Sequence, residues 1–153
     1  MVNKLNEEQK DKILNILKEI RNCSLSTCGN GEPHTTLVQF SITSQLNCII
    51  LSKNTRKKIN NIKNNNNIWL TFDATDSSGM PKVIYIKGKA ELEILNQKTF
   101  DEFLSYHGEM TRKIYEQLTA GGLEKFTRIF IKPEKVLTAG IFGNVVDTIS
   151  FIV

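Results

Sequence analysis

The chain has 153 residues, of which 40% are hydrophobic and 24% charged, a composition typical of a globular protein that can bury one core. Its formal net charge of +4 suits a small anionic ligand or a nucleic acid and does not choose between them. No apolar run reaches the roughly 18 residues of a membrane-spanning helix, and the N-terminus has no apolar signal-peptide core. We therefore expect a cytoplasmic protein without a membrane partner, built as a single domain over residues 1–153.

The first predicted element is a helix that ends near Arg21. Asn6 can cap it, and Gln9 stands three residues later, where a capping box requires a glutamine or glutamate. Apolar residues at helical spacing follow the cap and form one stripe. The stripe consists of Ile13, Leu14, Ile16, Leu17 and Ile20.

The three cysteines and two histidines do not predict a metal site. Cys23 and Cys28 would face opposite sides of a strand, and Cys48 has no cysteine near it in the chain. His34 and His107 are too far apart in sequence to form a site unaided. We expect reduced thiols that pack as small apolar side chains.

Most of the remaining chain is predicted to form strands. Two of them flank the sequence GNGEP at 29–33, whose glycines and asparagine tolerate the positive φ of a hairpin turn. The clearest alternation, with apolar residues on one face and charged residues on the other, runs through 83–95. The predicted strands are 23–28, 34–42, 46–52, 67–74, 83–95 and 126–142.

Two more helices are predicted between these strands. A short one covers 55–65 with Thr55 available as its N-cap, and a longer one covers Gln97–Leu118. Hairpin-linked strands with one apolar face predict a mainly β fold, a six-stranded antiparallel sheet that closes into a barrel with the helices outside. A parallel nucleotide-binding sheet is excluded because regular alternation of strands and helices is missing.

The segment LSKNTRKK at 51–58 carries the strongest functional signal. A strand ends there and a helix begins, so unpaired N–H groups and the helix dipole favour an anion. Ser52 and Thr55 add hydroxyl donors, while Arg56, Lys57 and Lys58 add positive charge. This combination suits a single phosphate, whereas the alternative is a solvated helix face.

Nucleic acid is the second alternative for the basic segment. Trp69 and Phe72 follow the cations closely, and aromatic residues among cations can stack on bases. Phe72, however, shares a strand face with Ile68 and Leu70, which predicts a core position. The remaining cations are spread among acidic residues along the chain, so nucleic-acid binding is the less favoured reading.

Three stretches of the chain form a familiar series: GNGEPHTTLVQFSI at 29–42, CIILSKNTRKKINNIKNNNNIWLTF at 48–72 and VIYIKGKAEL at 83–92. Together they resemble the pyridoxamine 5′-phosphate oxidase-like, FMN-binding split-barrel family. The match covers roughly residues 8–138, in the order that the family has. The resemblance implies a six-stranded antiparallel split barrel, a homodimer, and FMN in grooves between the two subunits.

The resemblance also implies a set of cofactor-binding positions. Those matching the family's phosphate-binding junction are Ser52, Lys53, Thr55, Arg56 and Lys57, with Lys58 as the alternative to Lys57. Those on the strand that lies against the flavin ring are Thr35, Thr36 and Leu37. Gly88 matches a glycine that permits close approach.

The chain departs from the true oxidase in ways that change the expected reaction. Thr36 and Ser41 stand where the oxidase has an arginine and a lysine, and its C-terminal Arg-x-x-Pro segment is replaced by FGNVVDTISFIV. We therefore expect a small flavin reductase or FMN-binding protein rather than an enzyme of vitamin B6 oxidation. It would pass electrons from a reduced nicotinamide or partner protein to a small acceptor.

Several alternatives to this function stay open at the level of sequence. The chain could carry FMN without turnover, bind haem or a deazaflavin as other proteins of this fold do, or bind nucleic acid. No catalytic residue is assigned: His34 reads as a surface histidine that could reach a substrate, and His107 as a packed one. The C-terminal segment is interpreted as an extra edge strand or an arm of a dimer.

Overall fold

The computed structural model describes residues 3–143 and 148–153, which form four α-helices, nine strands and one short 3-10 turn. The helices are α1 (Glu7–Lys18), α2 (Lys57–Asn64), α3 (Gln97–Ser105) and α4 (Glu109–Leu118). The strands are β1 (Asn3–Lys4), β2 (Asn22–Gly29), β3 (Glu32–Gln39), β4 (Ser41–Ile42), β5 (Cys48–Lys53), β6 (Asn67–Asp73), β7 (Val83–Ile94), β8 (Phe126–Ala139) and β9 (Thr148–Ile152). None of the described helices is long and apolar enough to cross a membrane.

The strands form one sheet in the order β1-β9-β8-β7-β6-β2-β3, with β5 also paired to β8 and β4 to β5. Every described pairing is antiparallel except that of β1 with β9. The mainly β prediction is confirmed. The sheet is nevertheless mixed and open over the described residues, with nine strands where six were predicted.

The long strand β8 divides the sheet into two arms. Along one edge it pairs with β7 throughout, while along the other its first half pairs with β5 and its second half with β9. Pro133 lies at the transition and opposes Gly88, where the β7–β8 register shifts. Because proline cannot donate a ladder hydrogen bond, its position agrees with the end of the β5 pairing at Ile131.

Two predicted elements are each interrupted once. The strand predicted over 34–42 breaks at Phe40, whose side chain is fully buried and packs edge-on against Phe72. The helix predicted over 97–118 is two helices, because Gly108 has extended backbone and Arg112 occupies two exposed carbonyls. The Nε atom of Arg112 donates to the carbonyls of Leu104 and His107, at 3.0 and 2.8 Å.

The capping box predicted for α1 is confirmed. The Oδ1 atom of Asn6 accepts from the Gln9 N–H at 2.8 Å, and the Oε1 atom of Gln9 accepts from the Asn6 N–H at 3.1 Å. The helix ends at Lys18, one turn before the predicted end near Arg21. The C-terminal segment forms the extra strand β9, but this is not the predicted edge strand, because it pairs with β8 on one side and with β1 on the other. Residues 144–147 of that segment lie outside the described part of the chain.

The core consists of two clusters that lie on either face of β5. Ile50 packs into the main cluster inside the sheet, together with the fully buried Phe72. Ile49 and Leu51 face the second cluster, which is built mainly by α3, α4 and Phe126. A strand buried on both faces therefore leads directly into the basic segment and holds its start rigidly.

The three cysteines are free thiols, and two of them, Cys23 and Cys48, are buried in the main cluster. Burial raises the pKa of Cys48 well above its ordinary value, and Cys23 adds to that shift. A protonated thiol in an apolar cluster acts as a small hydrophobic side chain, which agrees with the prediction.

Candidate anion-binding cleft

A cleft lies between β3, the end of β5 and the first turn of α2. It consists of two contiguous depressions of about 400 and 360 Å³ that share Leu37, Arg56 and Lys58. The larger depression is bordered by cations and by strand β3, and the smaller one continues toward α4. We call the two together the basic cleft.

The junction between β5 and α2 forms the floor of the basic cleft. Ser52 is 6% exposed, and its Oγ donates to the Lys53 carbonyl at 3.2 Å. Asn54 fixes the turn that follows, since its side chain donates to the Glu124 carbonyl at 2.8 Å and accepts from Thr127 Oγ1 at 2.6 Å. The turn is thereby tied to the start of β8, which gives the basic segment a fixed position.

The first turn of α2 begins at Arg56 rather than at Thr55. Arg56 is the N-cap residue, has extended backbone and provides no side-chain hydrogen bond to the helix. The capping role predicted for Thr55 is therefore wrong; this residue is exposed and borders neither depression. An N-terminus without a side-chain cap leaves N–H groups available to an external acceptor.

Positive charge in the basic cleft is poorly balanced. Among the described residues, the ion pair in this region joins Lys57 to Glu32 at 3.7 Å, and both side chains are more than half exposed. Burial lowers the pKa of Lys58, and the nearby Arg56 lowers it further. A partly buried cation beside another cation is stabilised when an anion binds between them.

Two residues of strand β3, His34 and Thr36, each carry an unpaired polar side-chain atom. The Oγ1 atom of Thr36 and the Nδ1 atom of His34 are inaccessible to solvent and have no hydrogen-bond partner among the described residues. Both residues border the larger depression. His34, read from the sequence as a surface residue, therefore lies in the basic cleft. Buried polar atoms without partners are rare and indicate a missing ligand or partner.

The three residues predicted to lie along the flavin ring do not share one face of β3. Thr36 pairs with the buried Leu25, whereas Thr35 Oγ1 lies 3.0 Å from Ser26 Oγ on the opposite face. Leu37 is 71% exposed and borders both depressions at the edge of the strand. Thr36 and Leu37 are thus brought to the basic cleft, and Thr35 is not.

Gly88 lies away from the basic cleft and has a structural role. It is buried opposite Pro133, and a Cβ atom at this position would overlap with the Lys132 carbonyl oxygen. What this glycine permits in the structure is therefore the close approach of strand β8. The prediction that Gly88 contacts a cofactor gains no support from its position.

Apolar side chains line part of the smaller depression. We call them the apolar wall, which is formed by Leu51, Tyr115, Leu118 and Phe126. Tyr115 is 8% exposed and packs edge-on against Phe103, and its burial raises its pKa to about 12. The basic cleft therefore combines positive charge with apolar side chains, a combination that the sequence prediction missed.

A third cavity of about 150 Å³ lies on the other side of Gln39, which borders both it and the basic cleft. It holds two more unpartnered atoms, the hydroxyl of Tyr106 and the Nε2 of His107. His107 packs on Phe103 with ring centroids 4.5 Å apart, as predicted for a packed histidine. Burial lowers the pKa of His107, with added effects of Arg112 and Arg21, so its ring is neutral at pH 7.

The cleft thus brings together cations, a helix start without a side-chain cap and apolar side chains beside one β sheet. The family model described as pyridoxamine 5′-phosphate oxidase matches residues 9–139, and the chain belongs to this family. The family resemblance and the split-barrel fold class predicted from the sequence are thereby confirmed. No curated protein matches the chain by sequence similarity.

Solved structures share the fold at low sequence identity. A protein related to general stress protein 26, of the pyridoxinephosphate oxidase family, from Clostridium acetobutylicum is 16% identical, with a TM-score of 0.71 over 97% of both chains. An FAD-binding protein from Mesorhizobium loti is 16% identical, with a TM-score of 0.64 over 89% of this chain and 93% of its own. A heme-binding protein from Mycobacterium smegmatis is 12% identical, with a TM-score of 0.71 over 99% of this chain and 60% of its own.

Proposed function

We propose that the chain binds FMN in the basic cleft and acts as an oxidoreductase. The observation that carries the proposal is the convergence of Arg56 and Lys58 with the unpartnered atoms of His34 and Thr36 at an uncapped helix start. A phosphate dianion accepts several hydrogen bonds and needs two or more cations. Family membership supports a flavin as the molecule that carries this phosphate.

The chemistry of the basic cleft fits FMN in two parts. Arg56, Lys58 and the helix N–H groups would hold the phosphate, with Lys53 and Ser52 beside them. Lys57 contributes less, because it already pairs with Glu32. The apolar dimethylbenzene part of the flavin ring would lie along the wall that contains Tyr115 and Leu118.

When bound, FMN supplies the redox chemistry, and the residues of this chain control orientation and access. Tyr115 and Leu118 exclude water from one side of the cleft. Gln39 presents its amide to both the cleft and the third cavity. Burial raises the pKa of Tyr106 to about 12, and this residue borders the third cavity rather than the basic cleft.

Two electrons would come from a reduced nicotinamide or a partner protein and pass to a small acceptor. An absorbance spectrum of the purified protein, followed by titration of the flavin-free chain with FMN, FAD, riboflavin and haem, tests the cofactor. Saturable binding of FMN well above that of riboflavin is expected. A colourless protein that ignores FMN, or one that prefers haem, would refute the proposal.

A non-enzymatic FMN carrier is the second candidate, because the residues that line the basic cleft include no carboxylate to act as an acid or base. Oxidation of reduced nicotinamide with a quinone, nitro compound or ferric acceptor distinguishes the two. Turnover that depends on bound FMN supports the enzyme, and its absence with every donor and acceptor supports the carrier. Phe72 is fully buried and cannot stack on a base, whereas Trp69, the other aromatic residue considered for this role, is 38% exposed.

We also propose that the chain works as a homodimer that covers the basic cleft. The edge residue Leu37 and one face of α4 expose large apolar side chains beside the cleft. On α4 these are Met110, Ile114 and Leu118, at 76, 45 and 49% exposure and one helical turn apart. A second copy would remove this apolar surface from water. Sedimentation equilibrium with and without FMN tests the assembly, and a monomer in both states would refute it.

A further inference from the structure

We propose that Asn61 is a positioning residue that holds α2 in the orientation in which Lys58 and Arg56 reach the phosphate. The inference rests on the proposed FMN site. Asn61 does not border the basic cleft and would not touch the cofactor. Its effect is exerted through the helix that carries it.

The contact that carries the proposal is a buried hydrogen bond between α2 and β2. The Nδ2 atom of Asn61 donates to Thr27 Oγ1 at 3.0 Å. The two residues are 5% and 4% exposed. An apolar pair would fill the same space without the cost of burying two polar groups. A paired amide and hydroxyl, in contrast, fix one angle and one depth of the helix, because only that placement satisfies both groups.

The geometry links this hydrogen bond to the basic cleft on both sides. Lys58 and Asn61 stand three positions apart, so they lie on the same face of α2, one turn from each other. Thr27 is the cross-strand partner of His34, which borders the cleft. The bond therefore sets the distance between the cations of α2 and the polar side chains of β3.

Gly29 supplies a second and independent observation. A Cβ atom at this position would overlap with the Oδ1 and Cγ atoms of Asn61. The glycine therefore leaves the space that the amide group occupies. Substitution by alanine would push Asn61 away from Thr27 while changing no residue of α2.

A positioning role differs from a purely structural one in its dependence on the phosphate. Misplacement of Lys58 and Arg56 weakens the binding of FMN but leaves the binding of riboflavin, which has the same ring and no phosphate. General destabilisation of the fold changes both affinities together or neither. The ratio of the dissociation constants for riboflavin and FMN therefore reports on the position of α2.

The experiment measures both dissociation constants by flavin fluorescence on the full chain, with circular dichroism to verify folding. Asn61→Ala should lower the riboflavin-to-FMN ratio about tenfold, since it breaks a buried hydrogen bond and leaves Thr27 unpaired. Asn60→Ala is the matched control, an exposed asparagine on the same helix, and should leave the ratio unchanged. Thr27→Val should lower the ratio as Asn61→Ala does. Thr27→Ser keeps the hydroxyl and should leave the ratio at its wild-type value.

Measurements on the wild-type protein distinguish a failure of this inference from a failure of the proposed function. Equal affinities of the wild type for FMN and riboflavin would show that the chain has no phosphate site, and the proposed function would then fail. A wild-type preference for FMN that survives in Asn61→Ala would overturn the positioning role, as would an equal loss of both ligands. If Asn61→Ala does not fold, Thr27→Val and Gly29→Ala are judged by the same two criteria.

Discussion

Lys58→Met tests the basic cleft most directly. Methionine keeps the length and apolar stem of lysine and removes the charge, so the partly buried stem should pack as before. Lys58 borders both depressions, and its lowered pKa indicates that its charge is poorly compensated when no anion is bound. Its interaction with a phosphate should therefore be net favourable.

The expected loss follows from the strength of a charged hydrogen bond. Such a bond contributes about 1.5–3 kcal/mol, which corresponds to a rise of about 10- to 150-fold in the Kd for FMN. Lys57→Met is the matched comparison. Lys57 is 52% exposed in its side chain and already pairs with Glu32 at 3.7 Å, so its loss should raise the Kd about fivefold or less.

Isothermal titration of the wild type and of each variant with FMN and with riboflavin gives the Kd for each ligand. Riboflavin should bind wild type and Lys58→Met equally, because it brings no phosphate to the cleft. A Lys57→Met variant that loses as much affinity as Lys58→Met would show that the two lysines are interchangeable. Equal weakening of riboflavin would show that Lys58 supports the ring site rather than the phosphate.

Three further predictions follow from the same structure. FMN affinity should fall as pH rises through the lowered pKa of Lys58, earlier than for an ordinary lysine, and Lys58→Met should flatten this profile in a titration series. Stability of the flavin-free chain should change in the opposite direction, because the unfolded state holds that proton more tightly; denaturant midpoints across the same pH range check this. Leu118→Glu should give a monomer in sedimentation and a weakened FMN complex, whereas an intact dimer would contradict the proposed interface. Gly88→Ala should lower the free energy of unfolding by about 1–3 kcal/mol, since the added Cβ would overlap with the Lys132 carbonyl. The folded fraction should bind FMN with unchanged affinity, and weaker binding would indicate that Gly88 contacts the cofactor.

The fold was predictable wherever one local pattern dominates. The alternation of apolar and charged residues through 83–95 predicts β7 to within one residue at its C-terminal end. The capping pair of Asn6 and Gln9 predicts the start of α1. The break at Phe40 was missed because the burial of this side chain against Phe72 depends on a distant strand. Gly108 was a local signal for the second break, and the apolar stripe through 97–118 outweighed it. The split role of β8, with β5 and then β9 along one edge, likewise depends on strands far apart in the chain.

The candidate site was predictable only where it is continuous in sequence. Ser52, Arg56 and Lys58 lie within one strand-to-helix junction, which the pattern of hydroxyls and cations indicates. Tyr115 and Leu118 reach the cleft only through the packing of α4, so no local signal marks them. Leu37 shares a face of β3 with Thr35 and still borders the cleft, so the alternation of the strand could not have separated Thr35 from the other two residues.

The position of β8 has a consequence for biosynthesis. Both β5 and β7 depend on this strand, which the ribosome makes after the whole segment that carries the cations. Until β8 emerges, the nascent chain presents an unpaired β5 edge rich in isoleucine and leucine. Pairing over such long sequence separations is slow, so this interval is when the chain depends most on chaperones to avoid aggregation.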